Sequence, residues 1–185
     1  MQEASGTTLT SAPPAKPPNR RTLAWGLAGL WILVDQVTKA WAQSALTGQE
    51  PVQVVGDVLQ LRLVYNSGAA FSMGAGNTWI FTVLASIVVT YLLWYTRSVN
   101  HRGWACALGL LIGGAGGNLI DRLAREPGFG RGHVVDFLAL PNFPVFNVAD
   151  IGITSAAVLI GWLVLRGEGE DGRAEQQIDD EVNRS

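Results

Sequence analysis

Two long stretches of this chain carry no charge at all, Trp79 to Thr96 and Trp104 to Ile120. Each approaches the ~20 residues needed to cross a hydrocarbon core as a helix. Two shorter apolar runs, Leu23 to Val34 and Ile151 to Leu165, reach that length only if Asp35 and Asp150 are counted inside the helices. The pattern predicts four membrane spans and carboxylates at membrane depth. Composition agrees: 48% of residues are hydrophobic and 15% charged, against roughly 25% charged in soluble domains.

The predicted organisation is a Ser-, Thr- and Pro-rich disordered tail over residues 1–21, one four-span domain over 22–166, and an acidic disordered tail over 167–185. A cleaved secretory signal is the alternative for the N-terminal segment. It fits poorly, because the first apolar run leads into DQVTKAW and not into a small-residue cleavage site. Four spans place both ends on one side, together with Lys16, Arg20, Arg21, Arg97, Arg102, Arg166 and Arg173; the positive-inside rule makes that side cytoplasmic. Arg62, Arg125 and Arg131 fall on the other side and weaken the bias without reversing it. A formal net charge of -2 argues against nucleic acid as a partner. Cys106 stands alone in an apolar run and reads as a buried thiol.

Between spans one and two, Leu59, Leu61, Leu63 and Tyr65 alternate with Gln60, Arg62, Val64 and Asn66. That period of two predicts a half-buried strand, hence a small extracytoplasmic β-ribbon on an otherwise all-α membrane protein. In span three, Ala105, Gly109, Gly113 and Gly117 recur every fourth residue, which lets helix backbones approach closely in lipid. The next step of four is Asp121, so the packed face of a central helix leads to a carboxylate.

Depth counting at 1.5 Å per residue puts Asp35 about 18 Å and Asp121 about 26 Å from the cytoplasmic boundary. Asp136 lies in the second outer connection and Asp150 opens span four, so four carboxylates gather toward the outer half of the membrane. Ionisable groups there point to function, either catalysis or transport. Asp35 and Lys39 form a favourable i,i+4 pair, and Asn118, Asp121 and Arg122 share a face at i, i+3 and i+4. Holding helices together explains Asp35 and Asp121 at least as well as chemistry does. Asp136 and Asp150 sit in apolar settings without an adjacent basic residue, separated by a turn-rich Pro141-Asn142-Phe143-Pro144 stretch. Brought face to face, they would share a proton and serve as acid and base. Pattern alone leaves open whether Asp150 is half of such a pair or a helix N-terminal residue favoured by the dipole. No HExxH or G-x-S-x-G motif and no His/Cys cluster is present, so no metal site is expected. A small proton-coupled carrier is the alternative class. It would need polar groups through the whole bilayer, and spans two and three lack charge across their cytoplasmic halves.

Five blocks resemble those of bacterial lipoprotein signal peptidase (signal peptidase II, aspartic peptidase family A8). They are Asp35-Gln36-Val37-Thr38-Lys39, Asn66-Ser67-Gly68-Ala69-Ala70-Phe71-Ser72, Gly117-Asn118-Leu119-Ile120-Asp121-Arg122, Val134-Val135-Asp136-Phe137 and Phe146-Asn147-Val148-Ala149-Asp150. They occur in the family's order between Asp35 and Asp150, and the resemblance covers essentially residues 23–165. The resemblance implies an inner-membrane endopeptidase that removes signal peptides just before a diacylglyceryl-modified cysteine, without a cofactor. Asp136 and Asp150 match the catalytic positions. Asp121 matches a support position, Asn118 and Arg122 substrate-contacting ones, and Asp35, Lys39, Asn66 and Asn147 other functional or structural ones. Prolipoproteins, membrane lipid and globomycin-type inhibitors are the implied partners of a monomer. Two departures stand out: Ala124 to Gly132 is longer than the family's shortest forms, and the N-terminal tail is long.

Overall fold

The computed structural model describes residues 19–68 and 78–170. Residues 1–18 and 171–185 of the tails predicted at 1–21 and 167–185, and the Ala69-Ala70-Phe71-Ser72 part of the second block, lie outside those residues. Four helices form the body: α1 (Arg21–Leu46), α2 (Thr78–Tyr95), α3 (Arg102–Ala124) and α4 (Val148–Leu165). The last three are long and apolar enough to cross a membrane. α1 has 26 residues, about 39 Å of helix, but Asp35, Gln36, Lys39 and Gln43 interrupt its apolar character along one side. Asp35 and Lys39 are fully buried, so α1 turns these groups away from lipid and toward α3.

Small residues make that possible. α3 is the central helix, and its glycine ladder lies along α1, turn by turn. A Cβ on Gly109 would stand 2.8 Å from the carbonyl oxygen of Ala24, and one on Gly113 would stand 2.7 Å from Cβ of Trp31. One on Gly117 would enter the Asp35 carboxylate. Gly114, on the adjoining face, admits α4 at Ala149 and Ile153. α2 is the least enclosed helix; Trp79, Val83, Leu84, Ile87, Tyr91 and Trp94 are all exposed, as a lipid-facing surface requires.

A three-stranded antiparallel sheet, β1 (Val52–Val55), β2 (Leu59–Asn66) and β3 (Val134–Ala139), caps one end of the bundle with β2 in the middle. β2 is the strand that the alternation predicts. β3 is a correction, since Asp136 reads from sequence as part of a connection. All of Val134, Val135, Asp136 and Phe137 are buried, so β3 has no polar face and shows no period of two. Phe137 packs with Ala42 and Leu46 of α1 and meets Trp41 edge-on at 6.3 Å. Val64 lies opposite Asp136 and Asn66 opposite Val134, past a bulge between Leu61 and Val64.

At the other end, Asn19 Nδ2 donates to the Arg97 carbonyl at 2.7 Å and Arg20 N to that of Val99 at 2.9 Å. Trp104 Nε1 donates to the Glu168 carbonyl at 2.7 Å. Residues 19–21 and 167–170, counted with the tails from sequence, are therefore bonded to the bundle.

Candidate active site

The site forms where the sheet meets the ends of α3 and α4. Asn147 is the N-cap of α4, and its side-chain oxygen accepts from the backbone N–H of Asp150 at 3.1 Å. Asp150 reaches back to the N–H of Asn147 at 3.1 Å, closing a capping box. The helix-terminus reading of Asp150 therefore describes its backbone role, and its other oxygen is free for more. Asn118 Nδ2 donates to Asp150 Oδ1 at 2.9 Å.

Asp136 is held from two sides. Asn66 Nδ2 donates to its Oδ2 at 3.0 Å, and Asn147 Nδ2 donates to its Oδ1 at 2.6 Å. Asn147 Nδ2 also donates to Asn118 Oδ1 at 3.1 Å. Two asparagine amides thus connect the two aspartates, in the order Asp136, Asn147, Asn118, Asp150. Lys39 fixes the direction of this chain. Its ammonium can only donate, and it stands 2.9 Å from Asn118 Oδ1, so the Asn118 amide nitrogen must face Asp150.

Asp136 and Asp150 line one cavity of about 500 Å³. Asn66, Asn118 and Arg122 share the polar side; Phe143, Phe146 and Ile151 are among its apolar walls. Asp136 is only 3% exposed. Burial pushes its carboxyl up to about 7. The hydrogen bond from Asn66 pulls it down, the neighbouring charge of Asp150 pushes it up, and Asn147 and Lys39 pull it down again.

Below the cavity lies a buried ionic cluster. Lys39 Nζ is 2.8 Å from Asp35 Oδ2 and 2.7 Å from Asp121 Oδ2, with all three side chains fully buried. The i,i+4 pairing of Asp35 and Lys39 is thus present. The arginine beside Asp121 is Arg125, at 2.5 Å, and not Arg122. The glycine-ladder face carries Asp121 toward α1, whereas Arg122 is one residue further round the helix and faces the cavity with Asn118. Arg122 Nη2 donates to the Gly68 carbonyl at 2.7 Å, and its guanidinium lies 5.4 Å over the Phe81 ring. Its Nη1 is buried without a partner among the described residues. A basic group therefore does stand beside the aspartate pair, contributed by α3 from outside either local sequence.

Three members of the cluster were not singled out from sequence. Gln36 Nε2 donates to Asp35, Asp121 and the Gly117 carbonyl at 3.1 to 3.2 Å. Arg125 also bonds Gln43 Oε1. The signal for two of them was available, because Arg125 follows Asp121 by four residues and Gln43 follows Lys39 by four.

The chain matches known proteins along this same framework. The family model described as Peptidase A8, signal peptidase (SPase) II, matches residues 27–166. Lipoprotein signal peptidase of Leifsonia xyli subsp. xyli is 48% identical over 78% of this chain and 67% of the relative. That of Mycobacterium avium is 44% identical over 86% of this chain and 88% of the relative. A solved bacterial membrane enzyme, determined by the in meso method, superposes with a TM-score of 0.71. It is 26% identical and covered over 99% of its length by 83% of this chain. With the match running from the second turn of α1 to the end of α4, the chain belongs to the signal peptidase II family, aspartic peptidase family A8.

Proposed function

We propose that this signal peptidase II cuts its substrates with Asp136 and Asp150, on the N-terminal side of a diacylglyceryl-modified cysteine. Removal of signal peptides from prolipoproteins is the activity of the family. The observation that most supports the residue assignment is the shared cavity, in which two asparagine amides join two carboxylates.

A carboxyl held near 7 keeps its proton about half the time at neutral pH. Asp136 is accordingly assigned as the acid toward the scissile carbonyl oxygen, and Asp150 as the base. Water adds to the carbonyl carbon while giving one proton to Asp150, and the carbonyl oxygen takes the Asp136 proton. On collapse, the C–N bond breaks, the nitrogen receives the proton from Asp150, and Asp136 recovers its own. Asn66, Asn118 and Asn147 hold the carboxylates. Arg122 Nη1, buried and partnerless among the described residues, is positioned for a substrate oxygen. Two carboxylates and water suffice, with no metal or organic cofactor.

Positive charges at Arg20, Arg21, Arg97, Arg102 and Arg166 support a cytoplasmic placement for that end and for both termini. The sheet and cavity then face the extracytoplasmic side of a bacterial cytoplasmic membrane. There a signal helix can enter between spans while its lipidated cysteine stays at the interface. The ribbon beginning at Leu59 is placed to limit water at the site. Globomycin-type inhibitors are expected in the same cavity of a monomeric enzyme whose working unit is residues 22–166. A carrier is not supported, because α2 has no charged residue to continue a path.

The test compares two prolipoprotein substrates in proteoliposomes, identical except that one cysteine carries diacylglycerol. We expect kcat/KM to be at least about 100-fold higher for the lipidated one, on the order of 3 kcal/mol of differential binding. Equal values would contradict the assigned cleavage specificity.

A further inference from the structure

Two backbone hydrogen bonds relate the buried cluster to the aspartate pair. Asp35 Oδ1 accepts from the N–H of Ala149 at 2.9 Å, and Asp121 Oδ2 accepts from the N–H of Val135 at 3.2 Å. Ala149 immediately precedes Asp150, and Val135 immediately precedes Asp136. Each supporting carboxylate therefore grips the chain one residue before a cavity aspartate. Lys39 joins the two grips, and its three protons go to Asp35, Asp121 and Asn118, leaving none for water.

We infer that Asp35, Lys39 and Asp121 form a clamp that sets the separation of Asp136 and Asp150. The inference rests on the assignment of that pair as catalytic. β3 and α4 are joined by the turn-rich stretch 140–147, and the clamp fixes them on either side of it, α4 to Asp35 of α1 and β3 to Asp121 of α3. Arg125 completes the charge count. Asp35 and Asp121 contribute two negative charges, Lys39 and Arg125 two positive ones, and the sum is zero. A neutral, fully bonded cluster can stay buried; one lacking a partner could not.

The separation of two carboxylates governs how strongly the charge of one holds the proton of the other. The charged groups facing the pair are Arg122 on α3 and, behind Asn118, the four members of the cluster. Loosening the clamp should therefore change the pH dependence of turnover, which loss of packing alone would leave in place. The three clamp members are positioning residues and do not touch substrate.

The experiment uses full-length enzyme in proteoliposomes with a diacylglyceryl-modified prolipoprotein. Asp35→Asn and Asp121→Asn each keep an oxygen for the backbone N–H but lose the attraction to Lys39. Lys39→Met combined with Asp35→Asn removes one directly paired charge of each sign and leaves the Asp121–Arg125 pair in place, so the sum stays at zero and folding is protected. For all three, kcat is expected to fall by about tenfold or more with KM within about threefold. The midpoint of the kcat–pH profile should move by about half a unit or more. An unmoved profile overturns the clamp, whether kcat is unchanged or falls together with thermal stability. Asp136→Asn and Asp150→Asn serve as references. If they are inactive while the clamp variants are normal, the clamp alone fails. If either stays active, the catalytic assignment fails and the clamp with it.

Discussion

Asp136→Asn and Asp150→Asn are each expected to lower kcat for prolipoprotein cleavage by about 10³-fold or more, in protein that still inserts and folds. An asparagine matches aspartate in size and keeps one oxygen acceptor, so the bonds from Asn66 or Asn118 have a partner in the variant. What it loses is the exchangeable proton. A positioned general acid or base contributes about 10² to 10⁴ in rate, and here both halves are needed in one step. The double variant should therefore be little worse than either single one, because groups that act as a unit are not additive. Stability should change in the opposite sense for Asp136→Asn. Its folded-state value of about 7 lies above the ordinary 3.8. The unfolded chain thus gives up that proton at lower pH, and native stability declines as pH rises from about 4 to about 7. Removing the carboxyl removes that decline.

Asn147→Ala carries the second large effect, on activity and stability together. Asn147 is fully buried, caps α4 through the Asp150 N–H, and donates to both Asp136 and Asn118. Loss of an N-cap asparagine costs about 1 kcal/mol, and the groups left unsatisfied inside the site add about 1–3 kcal/mol. Turnover should fall by about 100-fold, because both carboxylates lose a restraint and small misplacements are expensive at that distance. Asn147→Ser separates the two parts. A serine can cap the helix but does not reach Asp136, so thermal stability should recover in part while kcat stays low. Recovery of kcat along with stability would show that Asn147 serves the helix alone.

How much of this was legible beforehand depended on which force left a mark in the residue pattern. Charge-free runs located α2 and α3, since lipid tolerates few charges. The four-residue glycine step marked the α3 face that packs on α1, and its continuation to Asp121 led into the ionic cluster. β2 was visible because its apolar and polar residues alternate, although in the structure both of its faces stay partly exposed. β3 was not, because burial on both sides erases alternation, and with it went the strand that carries Asp136. Arg125 was readable as an i,i+4 partner of Asp121 but looked like a loop charge, since Pro127 and Gly128 follow it closely and mark the connection beyond α3. The bridge through Asn118 and Asn147 had no local signature, because three elements meet there. Counting depth gathered four acids at one end of the bundle. The family blocks, and not spacing, singled out Asp136 and Asp150.

The most direct test of the central claim is the kcat–pH profile of the wild-type enzyme on a diacylglyceryl-modified prolipoprotein in proteoliposomes. If turnover needs the proton held on Asp136, kcat should fall as pH rises through about 7, approaching about a tenfold loss per pH unit beyond it, with the midpoint belonging to the coupled pair. A kcat that stays level from about pH 6 to about pH 9 would contradict a mechanism in which one of these two carboxyls must be protonated.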